Sequence, residues 1–323
     1  MAENIGILGS GLIGRSWAML FAGAGYKVRL FDIEPKQVQS ALKDIEVQLN
    51  ELERSKLIRG SRSAKEQISL ISGTSSLQEC VSGALLVQEC TPEFLDIKLK
   101  ALKELDAVVQ EPTIISSSTS THLPSVLSKD LKNKERFIVS HPVNPPYYVK
   151  LVEIVPAPYT ASWVPPKVRA IMEQLGQVPV SLKKEVPGFS LNRIQYVILN
   201  EAWRQVEDGV LDVADVDKVM SEGLGPRYAF LGALEVAHLN AEGMANYCER
   251  YAPTIHSVSE TIGPIPHLLN ETHKTIHKQL CEVTPLDKLQ ERRQWRDACL
   301  TKLSVLKQEM EAMPNKGVSS KNQ

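Results

Sequence analysis

The 323-residue chain has no C-x-x-C pair of cysteines and no long block of charged residues of one sign. Its five cysteines are odd in number and scattered, which favours reduced thiols in a reducing compartment over a disulfide framework. Lysine plus arginine (37) nearly balances aspartate plus glutamate (38). The charge balance therefore predicts neither nucleic acid nor an anionic membrane surface as a partner.

The chain also lacks the hydrophobic segments that target or anchor proteins. No apolar run approaches the ~18 residues that a membrane-spanning helix needs. Only a few residues precede the first predicted strand, so we expect no signal or transit peptide. The C-terminal Lys321, Asn322 and Gln323 are not a peroxisomal tripeptide. These features predict a cytoplasmic protein, and the length allows two domains.

A glycine-rich turn stands near the start of the chain. Gly9, Gly11 and Gly14 have the G-x-G-x-x-G spacing, directly after a short apolar strand at residues 5–8. The first glycine allows a tight turn, the second lets the backbone approach a pyrophosphate, and the third lets the following helix pack closely on the strand. This arrangement predicts a dinucleotide-binding site.

The residues after the turn indicate which dinucleotide binds. Leu12 and Ile13 lie at the start of the helix, where free N–H groups face the pyrophosphate. Asp32 follows a second predicted strand at residues 27–31, where a carboxylate would hydrogen-bond the ribose of an adenosine and repel a 2′-phosphate. NAD is therefore favoured, although Lys27 and Lys36 leave NADP open.

Strand and helix signals alternate through the first half of the chain and then change. The alternation predicts a mainly parallel, doubly wound sheet, and helical periodicity replaces it after the segment EVPGFSLNR at residues 185–193. We therefore predict an α/β, Rossmann-type domain at residues 1–187, an all-α domain at residues 188–313 and a disordered tail at residues 314–323. The strands are predicted at residues 84–88, 113–116, 137–140, 151–155 and 178–182.

Two polar residues, one directly after a predicted strand and one within the next, suit proton transfer. His141 directly follows an apolar run, and Glu153 lies within the apolar residues 151–155, where a buried carboxylate needs a partner. A histidine can take the proton of an alcohol as hydride leaves the same carbon, and a carboxylate behind it fixes its tautomer. Spacing alone leaves the alternative that His141 caps a strand at the surface and Glu153 faces solvent.

Other polar residues that could belong to a functional site also fit ordinary structural roles. The hydroxyl-rich residues 117–121 can form an ordinary turn, and Asn144 can merely shape the double-proline turn that follows it. His273, His277 and Cys281 recur at four-residue intervals, but the lysines between them favour a solvated helix face. We therefore predict no metal site.

The chain contains, in order, the motifs GSGLIGRSWAMLFA, SSSTS, HPVNPPYY, LVEIVP, GFSLNR, EAWR, SEGLGPRYAF and RRQWRD. Together they resemble the 3-hydroxyacyl-CoA dehydrogenase superfamily almost from end to end, and within it the lambda-crystallin branch, which implies L-gulonate 3-dehydrogenase activity. The resemblance implies that His141 is the catalytic base and that Glu153 forms a dyad with it. It also implies that Ser120 and Asn192 bind the substrate hydroxyl.

The resemblance extends to the cofactor and the substrate. It implies that Asp32 binds the ribose of NAD, that Glu93 and Lys98 lie near the cofactor, and that the protein is a homodimer. The segment GLGPRYAF departs from the PMGPFEL-like stretch expected of acyl-CoA enzymes, and its Arg227 can hold a sugar-acid carboxylate or be a surface or subunit contact. Asn144 is a further predicted substrate contact.

L-Gulonate oxidised at C3 to 3-dehydro-L-gulonate is the reaction that this resemblance favours. Two other functions stay open. One is a short-chain 3-hydroxyacyl-CoA dehydrogenase, and the other is a crystallin-like protein that binds NADH without turnover.

Overall fold

The structure is a computed structural model that describes residues 3–313, so the tail predicted at residues 314–323 lies outside the described residues. The chain divides into two compact units between Arg193 and Ile194. We refer to residues 3–193 as the N-terminal unit and to residues 194–313 as the C-terminal unit. The domain boundary at residue 187 stays a prediction.

An eight-stranded sheet forms the centre of the N-terminal unit, in the order β3-β2-β1-β4-β5-β6-β7-β8. All neighbouring strands pair in parallel except β6 and β7, which are antiparallel. The predicted doubly wound, mainly parallel sheet is thereby confirmed. The strands are β1 (Asn4–Leu8), β2 (Lys27–Phe31), β3 (Ile71–Thr74), β4 (Ala84–Glu89), β5 (Ile114–Ser117), β6 (Phe137–Pro142), β7 (Leu151–Pro156) and β8 (Val178–Ser181).

Helices cover the sheet because successive strand residues point to opposite faces. Ile114 and Ile138 belong to one hydrophobic cluster, whereas their neighbours Ile115 and Val139 belong to a second. Both faces of the sheet are therefore buried, as expected of a parallel sheet. The helices of this unit are α1 (Leu12–Gly23), α2 (Pro35–Arg54), α3 (Ala64–Ser69), α4 (Leu77–Val81), α5 (Leu95–Val108), α6 (Pro124–Ser128) and α7 (Val164–Gln174), with a 3₁₀ turn at Lys134–Arg136.

Several elements of the N-terminal unit were not predicted from the sequence, among them the short β3, α3 and α4. Strand β3 contains Gly73 and is only partly buried, so it carries no apolar run that would signal a strand. Helices α3 and α4 are too short to show helical periodicity. A local signal was available for α3, because Ser63 and Glu66 form a capping box at its start.

The C-terminal unit is helical, as predicted. A π-helix at Val219–Leu224 directly follows the α-helix at Val213–Lys218. Pro226, which has no backbone N–H, follows this segment. The helices are α8 (Leu191–Glu207), which begins at the end of the N-terminal unit, α9 (Val213–Lys218), α10 (Gly225–Tyr228), α11 (Ala233–Leu239), α12 (Met244–Glu260), α13 (Thr272–Val283) and α14 (Leu289–Glu311), with a 3₁₀ turn at Leu286–Lys288.

The long helices of the C-terminal unit carry many exposed apolar side chains. None of the residues in α12, α13 or α14 is buried in the single chain. Across residues 3–313, no helix has both the length and the apolar character that crossing a membrane requires.

Candidate active site

The glycine-rich turn joins β1 to α1, and each glycine has a different steric surrounding. Gly9 has a φ of +103°, and a Cβ there would lie 2.7 Å from the carbonyl oxygen of Cys90. A Cβ on Gly14 would lie 1.9 Å from the carbonyl oxygen of Gly9. A Cβ on Gly11 would meet nothing within 4 Å. Packing therefore requires the first and third glycines, whereas the second borders open space.

The start of α1 fits the pyrophosphate of a dinucleotide. Gly11 is the N-cap residue and makes no side-chain cap hydrogen bond, so no side chain caps the first N–H groups of the helix. Such N–H groups and the helix dipole attract an anion. Leu12 is exposed beside them, and Ile13 is partly buried against the core.

Asp32 lies at the end of β2, directly beside the glycine-rich turn. Its Oδ2 accepts hydrogen bonds from both the backbone N–H and the hydroxyl of Ser10, each at 2.8 Å. Its Oδ1 accepts a bond from the backbone N–H of Glu34 at 3.2 Å. The carboxylate is half-buried, so it is fixed in position and still reachable from solvent.

His141 and Glu153 form a buried pair. The antiparallel register of β6 and β7 places the two residues directly opposite each other. Their side chains meet with Nδ1 of His141 2.8 Å from Oε2 of Glu153, and the two residues are 5% and 1% exposed. The ring of Phe189 packs against the imidazole, with 5.7 Å between the ring centroids. Because Nδ1 faces the carboxylate, Nε2 takes no part in this pair.

The backbone at the start of α8 holds Glu153 ionised. Oε1 of Glu153 accepts hydrogen bonds from the N–H groups of Ser190 at 2.7 Å and Leu191 at 2.9 Å. Burial raises the pKa of Glu153, but its hydrogen bonds from His141, Leu191 and Ser190 outweigh burial and lower the pKa below its ordinary value. The ionised carboxylate can therefore accept a hydrogen bond from the Nδ1–H group of His141.

Ser120 and Asn192 are also joined by a hydrogen bond. The side-chain amide of Asn192 donates to the carbonyl oxygen of Ser120 at 2.8 Å, and Asn192 is buried. Asn192 directly follows the two N–H groups that bind Glu153. The segment from Ser190 to Asn192 therefore connects the histidine–glutamate pair to the hydroxyl-rich loop after β5.

That loop encloses Glu93. Oε1 of Glu93 accepts bonds from the hydroxyl of Thr119 at 2.6 Å and from the N–H groups of Ser120 at 2.8 Å and Thr121 at 3.1 Å. Nζ of Lys98 lies 3.3 Å from Oε2 of Glu93. Burial raises the pKa of Glu93. The hydrogen bond from Thr119, the charge of Lys98 and the hydrogen bond from Ser120 together have a larger, opposite effect and lower the pKa to about 2.

Two other predicted substrate contacts are exposed residues. Asn144 is exposed in the connection between β6 and β7. Arg227 is exposed on the short helix α10 of the C-terminal unit. Their roles stay predictions.

Sequence reasoning missed three contributors to the site. Ser10 fixes Asp32, the buried Glu89 pairs with Lys98, and the backbone at Ser190 binds Glu153. Glu89 had a usable signal, because it is a charged residue at the end of a strand that begins with an apolar run. The role of a backbone N–H has no signal in residue type.

The sequence predicts no metal site at His273, His277 and Cys281. Among residues 3–313, no group of three or more histidine, cysteine, aspartate or glutamate residues is placed to hold a metal ion. Sγ of Cys281 contacts Nε2 of His277 at 3.6 Å on α13.

Two protein-family models match the chain. The model of the 3-hydroxyacyl-CoA dehydrogenase NAD-binding domain matches residues 4–186, and that of the 3-hydroxyacyl-CoA dehydrogenase C-terminal domain matches residues 188–278. Both units of the structure therefore contribute to one family assignment.

Individual proteins are similar over most of their length. The lambda-crystallin homolog of Homo sapiens is 50% identical over 307 residues, which is 94% of this chain and 96% of that protein. An L-carnitine dehydrogenase of a Pseudomonas species is 34% identical and covers 82% of each chain. The structure of (S)-3-hydroxybutyryl-CoA dehydrogenase from Ralstonia eutropha superposes with a TM-score of 0.65 and 28% identity, over 78% of this chain and 88% of that one.

We predict that Gly14→Ala and Gly11→Ala separate packing from dinucleotide binding. Gly14→Ala forces a Cβ against the carbonyl of Gly9, so the free energy of unfolding should fall by about 1–3 kcal/mol or more in urea denaturation. Gly11→Ala adds its Cβ to open space, so stability should change by less than ~1 kcal/mol while NADH affinity falls. Wild-type stability of Gly14→Ala would contradict the packing argument, and wild-type NADH binding by Gly11→Ala would contradict the placement of the pyrophosphate.

The low pKa of Glu93 predicts a pH-dependent contribution to stability. Its pKa of about 2 lies below the ordinary 4.5, so its stabilising effect is complete above pH 4.5 and is lost as the pH falls toward 2. Glu93→Gln should therefore lower the urea midpoint near neutral pH, and its midpoint should converge with that of the wild type as the pH falls through this window. The exposed Glu104→Gln is the control and should follow the wild type throughout. A constant gap between wild type and Glu93→Gln would refute the assignment.

Proposed function

Because the chain belongs to the 3-hydroxyacyl-CoA dehydrogenase family and carries the buried His141–Glu153 pair, we propose that it oxidises the C3 hydroxyl of L-gulonate to 3-dehydro-L-gulonate with NAD. The observation that carries the proposal is the 2.8 Å contact between Nδ1 of His141 and Oε2 of Glu153. It leaves Nε2 as the basic nitrogen of the histidine.

NAD is the cofactor of this family, and the glycine-rich turn with Asp32 supplies the residues that would hold it. When bound, NAD accepts the hydride that leaves the alcohol carbon. The uncapped N–H groups of α1 suit the pyrophosphate, and the Asp32 carboxylate suits the ribose hydroxyls.

His141 acts as the general base in this proposal. Its Nε2 takes the hydroxyl proton, and the resulting imidazolium is stabilised by the ionised Glu153 behind it. Glu153 is itself fixed by two backbone N–H groups, so the imidazole orientation is set before the substrate arrives. General acid–base catalysis of this kind contributes ~10²- to 10⁴-fold, which corresponds to roughly 3–5 kcal/mol of barrier.

Ser120 and Asn192 position the reacting hydroxyl. The hydroxyl of Ser120 donates to Glu93 at 3.2 Å, which leaves its oxygen lone pairs available to accept a bond from the substrate. Asn192 holds the backbone of Ser120 in place. Asn144 is a further proposed substrate contact.

A free sugar acid is favoured over a coenzyme A thioester by two features. L-Carnitine, the substrate named for one relative, is itself a 3-hydroxy carboxylate. Within residues 3–313, the exposed Arg227 has no carboxylate partner in an ion pair, so its guanidinium is available to hold a substrate carboxylate bidentately. The acyl-CoA alternative is supported by the similarity to the Ralstonia enzyme.

We also propose that the protein is a cytoplasmic homodimer. The C-terminal unit exposes large apolar side chains such as Leu234 (78%), Leu269 (92%) and Val283 (63%). Exposed apolar surface on this scale is typical of an interface between protein chains.

The substrate assignment predicts selective turnover of L-gulonate. NADH formation should be followed at 340 nm with NAD and, in parallel, L-gulonate, 3-hydroxybutyrate, L-carnitine and 3-hydroxybutyryl-CoA. We expect the largest kcat/KM for L-gulonate, and a lower kcat/KM for it in Arg227→Met. Turnover of the thioester alone would move the chain to the acyl-CoA alternative, and no turnover despite NADH binding would favour a non-catalytic, crystallin-like protein.

If His141 is the general base, its replacement should lower kcat without weakening cofactor binding. His141→Gln should lower kcat by at least ~10²-fold while the NADH affinity, measured by fluorescence titration, stays within about twofold of the wild type. The exposed His256→Gln is the matched control and should retain wild-type kcat. Substantial turnover by His141→Gln would refute the role of His141.

A further inference from the structure

A buried carboxylate outside the histidine–glutamate pair has a dense set of partners. Glu89, the last residue of β4, is completely buried. Its Oε1 accepts bonds from the N–H of Thr91 at 2.6 Å and the hydroxyl of Thr91 at 2.5 Å, and its Oε2 accepts one from the hydroxyl of Ser117 at 2.5 Å. The proposed reaction uses none of these groups directly.

Lys98 carries the charge that balances Glu89. Its Nζ lies 3.0 Å from Oε1 and 3.2 Å from Oε2 of Glu89, and 3.1 Å from the carbonyl oxygen of Thr91. Lys98 is 1% exposed, and a buried ammonium requires such partners. Glu89 therefore fixes the position of the Lys98 ammonium group.

From Lys98 the contacts continue to the loop that carries the substrate-binding hydroxyl. Oε2 of Glu93 lies 3.3 Å from Nζ of Lys98, while Oε1 of Glu93 accepts the N–H groups of Ser120 and Thr121. The same carboxylate thus pairs with the lysine through one oxygen and orients the loop through the other.

We propose that Glu89 is a positioning residue, whose buried carboxylate fixes Lys98 and, through it and Glu93, sets the position of Ser120. The proposal rests on the role of Ser120 under the proposed function. Glu89 itself touches neither the reacting groups nor the histidine–glutamate pair. Its effect on the reaction is geometric, because a displacement of about 1 Å at a reacting group can lower the rate ~10²-fold.

Hydrogen exchange of the full-length protein tests the proposal without substrate. In Glu89→Gln, mass spectrometry should show exchange at least ~10-fold faster in a peptide that covers residues 117–123, where Glu93 binds two amides. Exchange at residues 188–193, where Glu153 binds two amides, should stay unchanged. The same variant should lower kcat for L-gulonate by ~10²-fold while KM changes less than about threefold.

Glu185→Gln is the matched control. Oε2 of Glu185 accepts the N–H of Ser125 at 2.9 Å, so this carboxylate binds the backbone after the same loop but does not contact Lys98. We expect it to leave exchange at residues 119–121 and kcat unchanged. If Glu89→Gln does not fold, Thr91→Val removes one hydroxyl donor from Glu89 with little change in shape, and it should alter exchange and kcat in the same direction by less.

Two outcomes would overturn the proposal. Unchanged exchange at residues 117–123 would show that Glu89 does not position the loop, and equal acceleration in both peptides would show a general structural role. If the wild type fails to oxidise L-gulonate, the proposed function fails, whereas the exchange comparison still decides whether Glu89 positions Ser120.

Discussion

The pairing of β6 with β7 is the constraint on which the candidate active site depends. It is antiparallel in an otherwise parallel sheet because only the short connection at residues 143–150 joins the two strands. His141 and Glu153 are direct partners in this register, so both side chains lie on the same face. A shift by one residue would move Glu153 to the opposite face and leave the imidazole without its carboxylate.

The turn that follows the sheet completes the pair. Gly188 and Phe189 have φ values of +74° and +50°, and the ring of Phe189 is completely buried beside His141. A left-handed conformation costs a non-glycine residue about 1–3 kcal/mol, and burial of the aromatic ring offsets this cost. The turn directs the N–H groups of Ser190 and Leu191 to Glu153 and the amide of Asn192 to Ser120. One backbone conformation therefore serves two functional groups.

Two ionised carboxylates have different tasks in the N-terminal unit. Glu153 receives hydrogen bonds from His141 and from the start of a helix, where the helix dipole favours a negative charge. Glu93 is enclosed by hydroxyl and amide donors of the loop after β5. In both cases hydrogen bonds outweigh the effect of burial and lower the pKa, which keeps the carboxylate charged at neutral pH.

By itself, the sequence determined the features that depend on local spacing. The strand, the glycine triplet and Asp32 predicted the nucleotide-binding half, because the spacing of the glycines and the order of strand, turn and helix are local features of the chain. His141 and Glu153 were candidates from their apolar flanks, but spacing left their contact open, since only strand register decides it. The tertiary structure alone showed that residues 119–121 enclose Glu93 and that Glu89 lies beneath Lys98. These contacts are made by tertiary packing, and the sequence pattern alone does not show which buried charged side chains pair with each other.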